Sequence, residues 1–185
     1  MTLGELKTTV LKLLDEKARA DIVERFNNFF NIGQLEIATT CGFIIKNFNI
    51  EHLGGTKLYD MPQDFYIAQG IYLIGEKGNL INTNDFIWQG EKRLALTKKG
   101  NYQVVYKAYP KAITDETKDD FNFEIPLIAQ HALPFYVAAQ VCATDERDKY
   151  VGFLQQYQSK LVNLMEIGRT KTRINIDLRG AVYGI

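Results

Sequence analysis

The chain has one serine, two histidines and two cysteines among its 185 residues, so most side-chain nucleophiles and soft metal ligands are scarce from the outset. Ser159 falls on the exposed side of a helical repeat with no nucleophile elbow around it, which argues against serine hydrolysis. Neither His52 nor His131 has a second histidine or a cysteine at ligand spacing, so a histidine-based metal site would need acidic partners from elsewhere in the chain. His131 precedes Ala132 in a helical segment and reads as a satisfied polar residue. Cys41 and Cys142 each lie near the end of an apolar helical stretch, where cysteine acts as a small hydrophobe, and two unclustered cysteines make neither a disulfide framework nor a zinc signature. No apolar run approaches the ~20 residues that span a bilayer. The first sixteen residues carry acidic side chains and no cleavage-like site after an apolar segment, so no signal peptide is expected and the chain reads as made in a cytosol.

An excess of charge is missing too. Lys plus Arg and Asp plus Glu both number 22, which leaves no overall basic footprint for gripping nucleic-acid phosphates. No phosphate-binding loop is present, since Gly54-Gly55 is not followed by Lys-Ser or Lys-Thr. Asp115, Glu116, Asp119 and Asp120 cluster between Thr114 and Phe121 but lack the spacing and central glycine of a calcium loop, and read as a solvated loop before a helix. Asp60 and Asp64 flank Met61-Pro62-Gln63; an acid and base pair is one reading, and turn formation explains both residues as well. Tyr102, Tyr106 and Trp88 offer stacking faces for single-stranded nucleic acid, with Lys98, Lys99 and Lys107 as the only basic companions; core or interface is the competing reading. Nothing in this inventory builds an active site, so no enzyme, cofactor or metal is expected.

What is present is a clear order of periodicities. Leu3, Leu6, Val10, Leu13 and Leu14 mark a first amphipathic helix that should break around Lys17 to Ala20. A second runs from Asp21 as N-cap through Ile22, Phe26, Phe29, Phe30, Gly33 and Ile37 on one stripe. From Phe43 to Ile113 the chain is rich in Ile, Val, Tyr and Phe and punctuated by glycine, the mark of β-structure. Strands are predicted at 44–50, 57–59, 67–74 and 86–88, with a hairpin joining Arg93–Thr97 to Tyr102–Tyr109 across Lys98 to Asn101. Helical spacing returns at Pro126 and runs through Ile128, Ala129, Ala132, Tyr136, Ala139 and Ala143, with Pro134 set to kink or divide it. Tyr150, Leu154, Tyr157, Leu161 and Leu164 mark a last helix, which Gly168 should cap.

Beyond Gly168 the apolar Ile174, Ile176 and Leu178 alternate with Arg173, Asn175 and Asp177, a period-two strand pattern. A lone strand is not stable in water. This tail is therefore disordered, paired with the chain's own β region, or donated to a neighbour by strand addition; its apolar end, Ala181, Val182, Tyr183 and Ile185, points to docking. Disorder in a free subunit is expected, with folding on binding. The expectation is an α+β protein: a helical hairpin (1–42), a β insertion (43–113), further helices that complete a four-helix bundle (114–167), and an extended docking tail (168–185).

Three stretches, in order, resemble the head-tail connector, or adaptor, family of tailed bacteriophages. They are Asn31-Ile32-Gly33-Gln34-Leu35-Glu36-Ile37-Ala38 at the end of the helical hairpin, the turn Tyr59-Asp60-Met61-Pro62-Gln63-Asp64-Phe65, and Tyr106-Lys107-Ala108-Tyr109-Pro110-Lys111-Ala112-Ile113-Thr114 followed by Ile128 to Ala139. The resemblance implies a connector-type bundle and a non-enzymatic virion protein, assembled in the host cytoplasm, that forms a homo-oligomeric ring of twelve copies at the neck. Such a ring joins the portal to other neck or tail proteins and lets DNA pass without binding it specifically. The docking residues implied are Arg169, Lys171, Arg173, Ile174, Ile176, Leu178, Arg179 and Tyr183, reaching the portal or a neighbouring copy. The alternatives are a head- or tail-completion protein of the neck and a nucleic-acid-binding module.

Overall fold

The computed structural model describes residues 1–15 and 20–181, with 20–22, 24 and 171–181 described as backbone only. Two compact units emerge, one made of 1–43 with 110–185 and one of 44–109.

In the first unit, α1 (Leu3–Leu14) opens with a reciprocal capping box. The Thr2 side chain accepts from the Glu5 amide at 3.2 Å, and the Thr2 amide donates to Glu5 Oε2 at 2.8 Å. Asp15 closes the helix in the left-handed region at φ 54°, a conformation that aspartate tolerates better than most residues. Helix α2 (Ala20–Cys41) begins one residue before the expected cap Asp21. Of the break expected at 17–20, residue 20 already belongs to α2 and 17–19 lie outside the described residues. Phe26, Phe30 and Ile37 are fully buried along its inner stripe, each worth about 1.5–3 kcal/mol of transfer free energy. After the loop come a single turn, α3 (Leu127–Gln130), and then α4 (Leu133–Cys142). Pro134 stands in the first turn of α4, where its missing N–H costs nothing. Helix α4 is apolar nearly all round, and it packs against α1, α2 and the last helix, α5 (Arg147–Ala181).

The second unit holds seven strands in two antiparallel sheets. These are β1 (Ile45–His52), β2 (Lys57–Asp60), β3 (Phe65–Ile74), β4 (Leu80–Asn82), β5 (Phe86–Trp88), β6 (Arg93–Leu96) and β7 (Gly100–Ala108). One sheet has the order β1-β7-β3-β4 and the other β2-β6-β5. Between them sit Phe65 against Trp88 at 5.7 Å and His52 against Tyr59 at 5.9 Å, edge-on.

Three expectations need correction. The molecule is not a four-helix bundle with one β insertion: it is an α+β protein whose strands form two sheets with an interior of their own, and whose short α4 lies among the longer helices rather than pairing into a second hairpin. The expected hairpin between Arg93–Thr97 and Tyr102–Tyr109 does not form. Strand β6 pairs with β2 and β5, and β7 with β1 and β3. Leu94, Ala95 and Leu96 are all buried, as are Val104, Val105 and Tyr106, so each strand is the covered centre of a different sheet. Finally, the last helix does not stop at Gly168, and the extended tail is absent over 168–181, where α5 continues to Ala181. A strand there would leave its backbone groups to water, whereas extending an existing helix satisfies one further pair per residue.

Candidate docking surfaces

Several of the residues singled out for chemistry have structural partners. His52 is buried, with Nδ1 3.0 Å from the Tyr59 hydroxyl and Nε2 2.9 Å from the Gly55 carbonyl. His131 is exposed after α3, and Ser159 is exposed on α5. Asp60 pairs with Arg93 across the β2–β6 ladder at 3.0 Å. In the acidic loop, Asp119 pairs with Lys7 at 3.0 Å, and its carbonyl and that of Phe121 accept from the amides of Gly4 and Leu3. The loop thus anchors the start of α1. No group of three or more metal-binding side chains occurs among the described residues, and none of their helices is long and apolar enough to cross a membrane. Tyr102 and Tyr106 are buried, so neither offers a stacking face; Trp88 is half-buried between Phe65 and Phe86.

Asp64 holds the turn of which it is part. Its carboxylate accepts from Lys46 Nζ at 2.9 Å and from the Tyr106 hydroxyl at 3.1 Å, while its carbonyl accepts from the Tyr109 amide at 2.7 Å. Burial opposes its charge, but the two hydrogen bonds and the Lys46 ammonium outweigh that and hold the carboxyl below its usual value.

In the helical unit, Asn31 and Gln34 hold the chain as it returns from the strands. Asn31 accepts from the Ile113 amide at 2.8 Å and donates to the Ile113 carbonyl at 2.7 Å. Gln34, buried, donates to the Lys111 carbonyl at 3.0 Å. Two of the stretches carrying the sequence resemblance, 31–38 and 106–114, are therefore bonded to each other. On the other side of α2, Glu36 accepts from the buried Tyr157 hydroxyl at 2.7 Å. Burial, then the Glu36 carboxylate, pushes that phenol far above its normal range. Gly168 lies directly on the Cys41 carbonyl, where no side chain fits.

Of the predicted docking residues, Arg169 is exposed on α5. Lys171, Arg173, Ile174, Ile176, Leu178 and Arg179 belong to the final turns of the same helix, described as backbone only, and Tyr183 lies outside the described residues.

A surface not foreseen lies in the β unit. An open groove of about 510 Å³ runs beside Phe65, Tyr66, Ile67 and Ala68 of β3, with Trp88, Gly90, Glu91 and Tyr109 on its other walls. The rings of Tyr66 and Tyr109 pack at 5.1 Å, tilted by 40°, and Lys92 sits 6.0 Å over the Tyr109 ring. Tyr66 and Ile67 remain 39% and 52% exposed, a high fraction for side chains of this size. Gly90, at φ 71°, makes the turn that brings Glu91 to the rim. The one trace of this groove in the sequence is the density of aromatics between Phe65 and Tyr109.

No protein-family profile matches the chain, and no curated protein matches it significantly.

Proposed function

We propose that this protein is a head-tail connector (adaptor) of a tailed bacteriophage, a non-enzymatic neck protein that forms a ring between the portal and the tail. The observation that supports the reading is the Asn31–Ile113 junction. Two of the three stretches that resemble the connector family meet there, and their polar residues serve to hold the returning chain against α2. The third stretch, Tyr59 to Phe65, likewise works as architecture through Asp64. In this reading the stretch from Arg169 to Tyr183 docks on the portal or a neighbouring copy, with Ile174, Ile176 and Leu178 as anchors. A cyclic assembly needs two different complementary surfaces on each chain. The balance of 22 basic and 22 acidic residues suits a channel through which DNA slides.

Native mass spectrometry of the protein alone and with the portal protein of the same genome tests this. A ring, or a complex with portal in equal copy number, is expected, and deletion of Arg169 to Ile185 should abolish it. A monomer that ignores portal would overturn the reading.

A further inference from the structure

Strand β3 is only half covered on one side. It pairs with β7 along its length, but β4 reaches only Tyr72, Leu73 and Ile74. Among the described residues, no strand lies beside Phe65 to Gly70 on that edge. The groove runs along this same stretch. Successive side chains of a strand point to opposite faces, so a cavity lined by Phe65, Tyr66, Ile67 and Ala68 together fits one that follows the edge of the strand. The ladder here is also irregular, with register shifts between Phe65 and Ile67 and between Ala68 and Gly70, and bulges of this kind re-aim side chains at sheet edges. An unpaired edge invites another strand. The aromatic walls require an apolar side chain on that strand. Glu91, exposed at the rim and in no ion pair among the described residues, suits a basic one, with Lys92 over the Tyr109 ring the cation already beside the groove.

One segment of this chain has that chemistry. Residues 173–179 read Arg-Ile-Asn-Ile-Asp-Leu-Arg, apolar at every second position, and the stretch 169–185 carries four basic residues against one acidic. We infer that the groove beside β3 receives residues 173–179 of a second copy as an added strand, with Ile174, Ile176 or Leu178 in the aromatic pocket and an arginine on Glu91. This rests on the connector reading and names the surface on which the tail docks. The donor and acceptor are different surfaces, so the contact is heterologous, the kind from which cyclic rings are built. Pairing requires these residues to leave the helical conformation they have at the end of α5. Unwinding from the end of a helix gives up about one intrahelical hydrogen bond per residue, which the bonds to the edge of β3 replace.

The test uses full-length protein carrying Ile174→Asp, Ile176→Asp and Leu178→Asp as receptor and a fluorescent synthetic peptide of residues 169–185 as probe, read by anisotropy. Saturable binding is expected, weakening as salt rises. Ile67→Lys and Glu91→Lys, each added to the receptor at an exposed position that leaves the core untouched, should weaken it at least about tenfold. Mixing full-length tail-substituted chain with full-length Glu91→Lys chain should give pairs that grow no further, because each supplies one intact half of the contact. Absence of peptide binding, or equal binding to receptors with and without the groove substitutions, overturns the inference. If that happens while the wild-type chain still forms equimolar complexes with portal, the connector reading stands and the tail docks elsewhere. If the peptide binds the groove but the chain ignores portal, the inference stands and the connector reading falls.

Discussion

Asn31 makes with Ile113 both hydrogen bonds that a neighbouring strand would make, accepting from its amide at 2.8 Å and donating to its carbonyl at 2.7 Å. One side chain on a helix thus replaces a partner strand for a segment that has none. Asn31→Asp keeps the shape but loses the donor and faces the Ile113 carbonyl with a second acceptor. It should destabilise the helical unit by about 1–3 kcal/mol, and Asn31→Ala by a similar amount. Urea unfolding followed by circular dichroism checks this, with the slope unchanged and the midpoint lowered.

Two glycines of α5 should respond in opposite directions to the same substitution. Gly168→Ala drives a methyl group into the Cys41 backbone and forces α5 away from α2, at a cost of about 1–3 kcal/mol, as for overpacked cores. Gly152→Ala meets nothing within 4 Å and should stabilise the protein by about 0.5–1 kcal/mol through helix propensity. Thermal midpoints of the two variants, measured side by side, should lie on opposite sides of the wild type.

Acid should weaken the β unit through Asp64. Its carboxyl is held below the ordinary value when folded, so it stabilises the fold at pH above the unfolded value of about 3.9, and that contribution fades as pH falls through the folded one. Asp64→Asn removes it. The stability difference between wild type and variant should be largest near neutrality and shrink below about pH 4. Denaturation at a series of pH values shows this directly; a difference that stayed constant with pH would refute the role given to Lys46 and Tyr106.

The two thiols should be inert in the folded protein. Burial, then the nearby Glu36 charge, pushes Cys41 up to about 11, and burial with Glu146 raises Cys142 as well. Because the thiolate is the reactive form, a disulfide reagent at pH 8 should modify neither cysteine until the protein unfolds. The labelling rate should follow the unfolding rate as denaturant is added.

How much of this was readable in advance depended on the range of the interaction. The stripe Leu3, Leu6 and Val10, and that of Phe26, Phe30 and Ile37, mark helices because each residue's neighbours lie three or four positions away. Gly168 was misread as a cap for the same local reason: a glycine after an apolar heptad usually ends a helix, whereas here it serves a close approach to Cys41. The false hairpin between Arg93–Thr97 and Tyr102–Tyr109 arose because adjacency in sequence favours pairing, and no local signal tells that both strands are centres of separate sheets. The work of Asn31 and Gln34, whose partners lie 82 and 77 residues away, has no local signature either. Nor has the groove, which needs β3, the turn at Gly90 and Tyr109 to be brought together. The alternation of Ile174, Ile176 and Leu178 with Arg173, Asn175 and Asp177 reads as a strand, yet 173–178 is helix in the folded chain, since a period-two pattern does not register that an existing helix can be extended.

The amide of Ala108 bonds the carbonyl of Ile44 at 2.9 Å, so the strands of the second unit begin and end side by side. A segment whose two ends meet can be lengthened, trimmed or exchanged while the rest of the chain feels only the short gap between two adjacent residues. The β unit is in that sense a cassette. Grafting 44–109 between the ends of a tight turn in another host should carry its groove along.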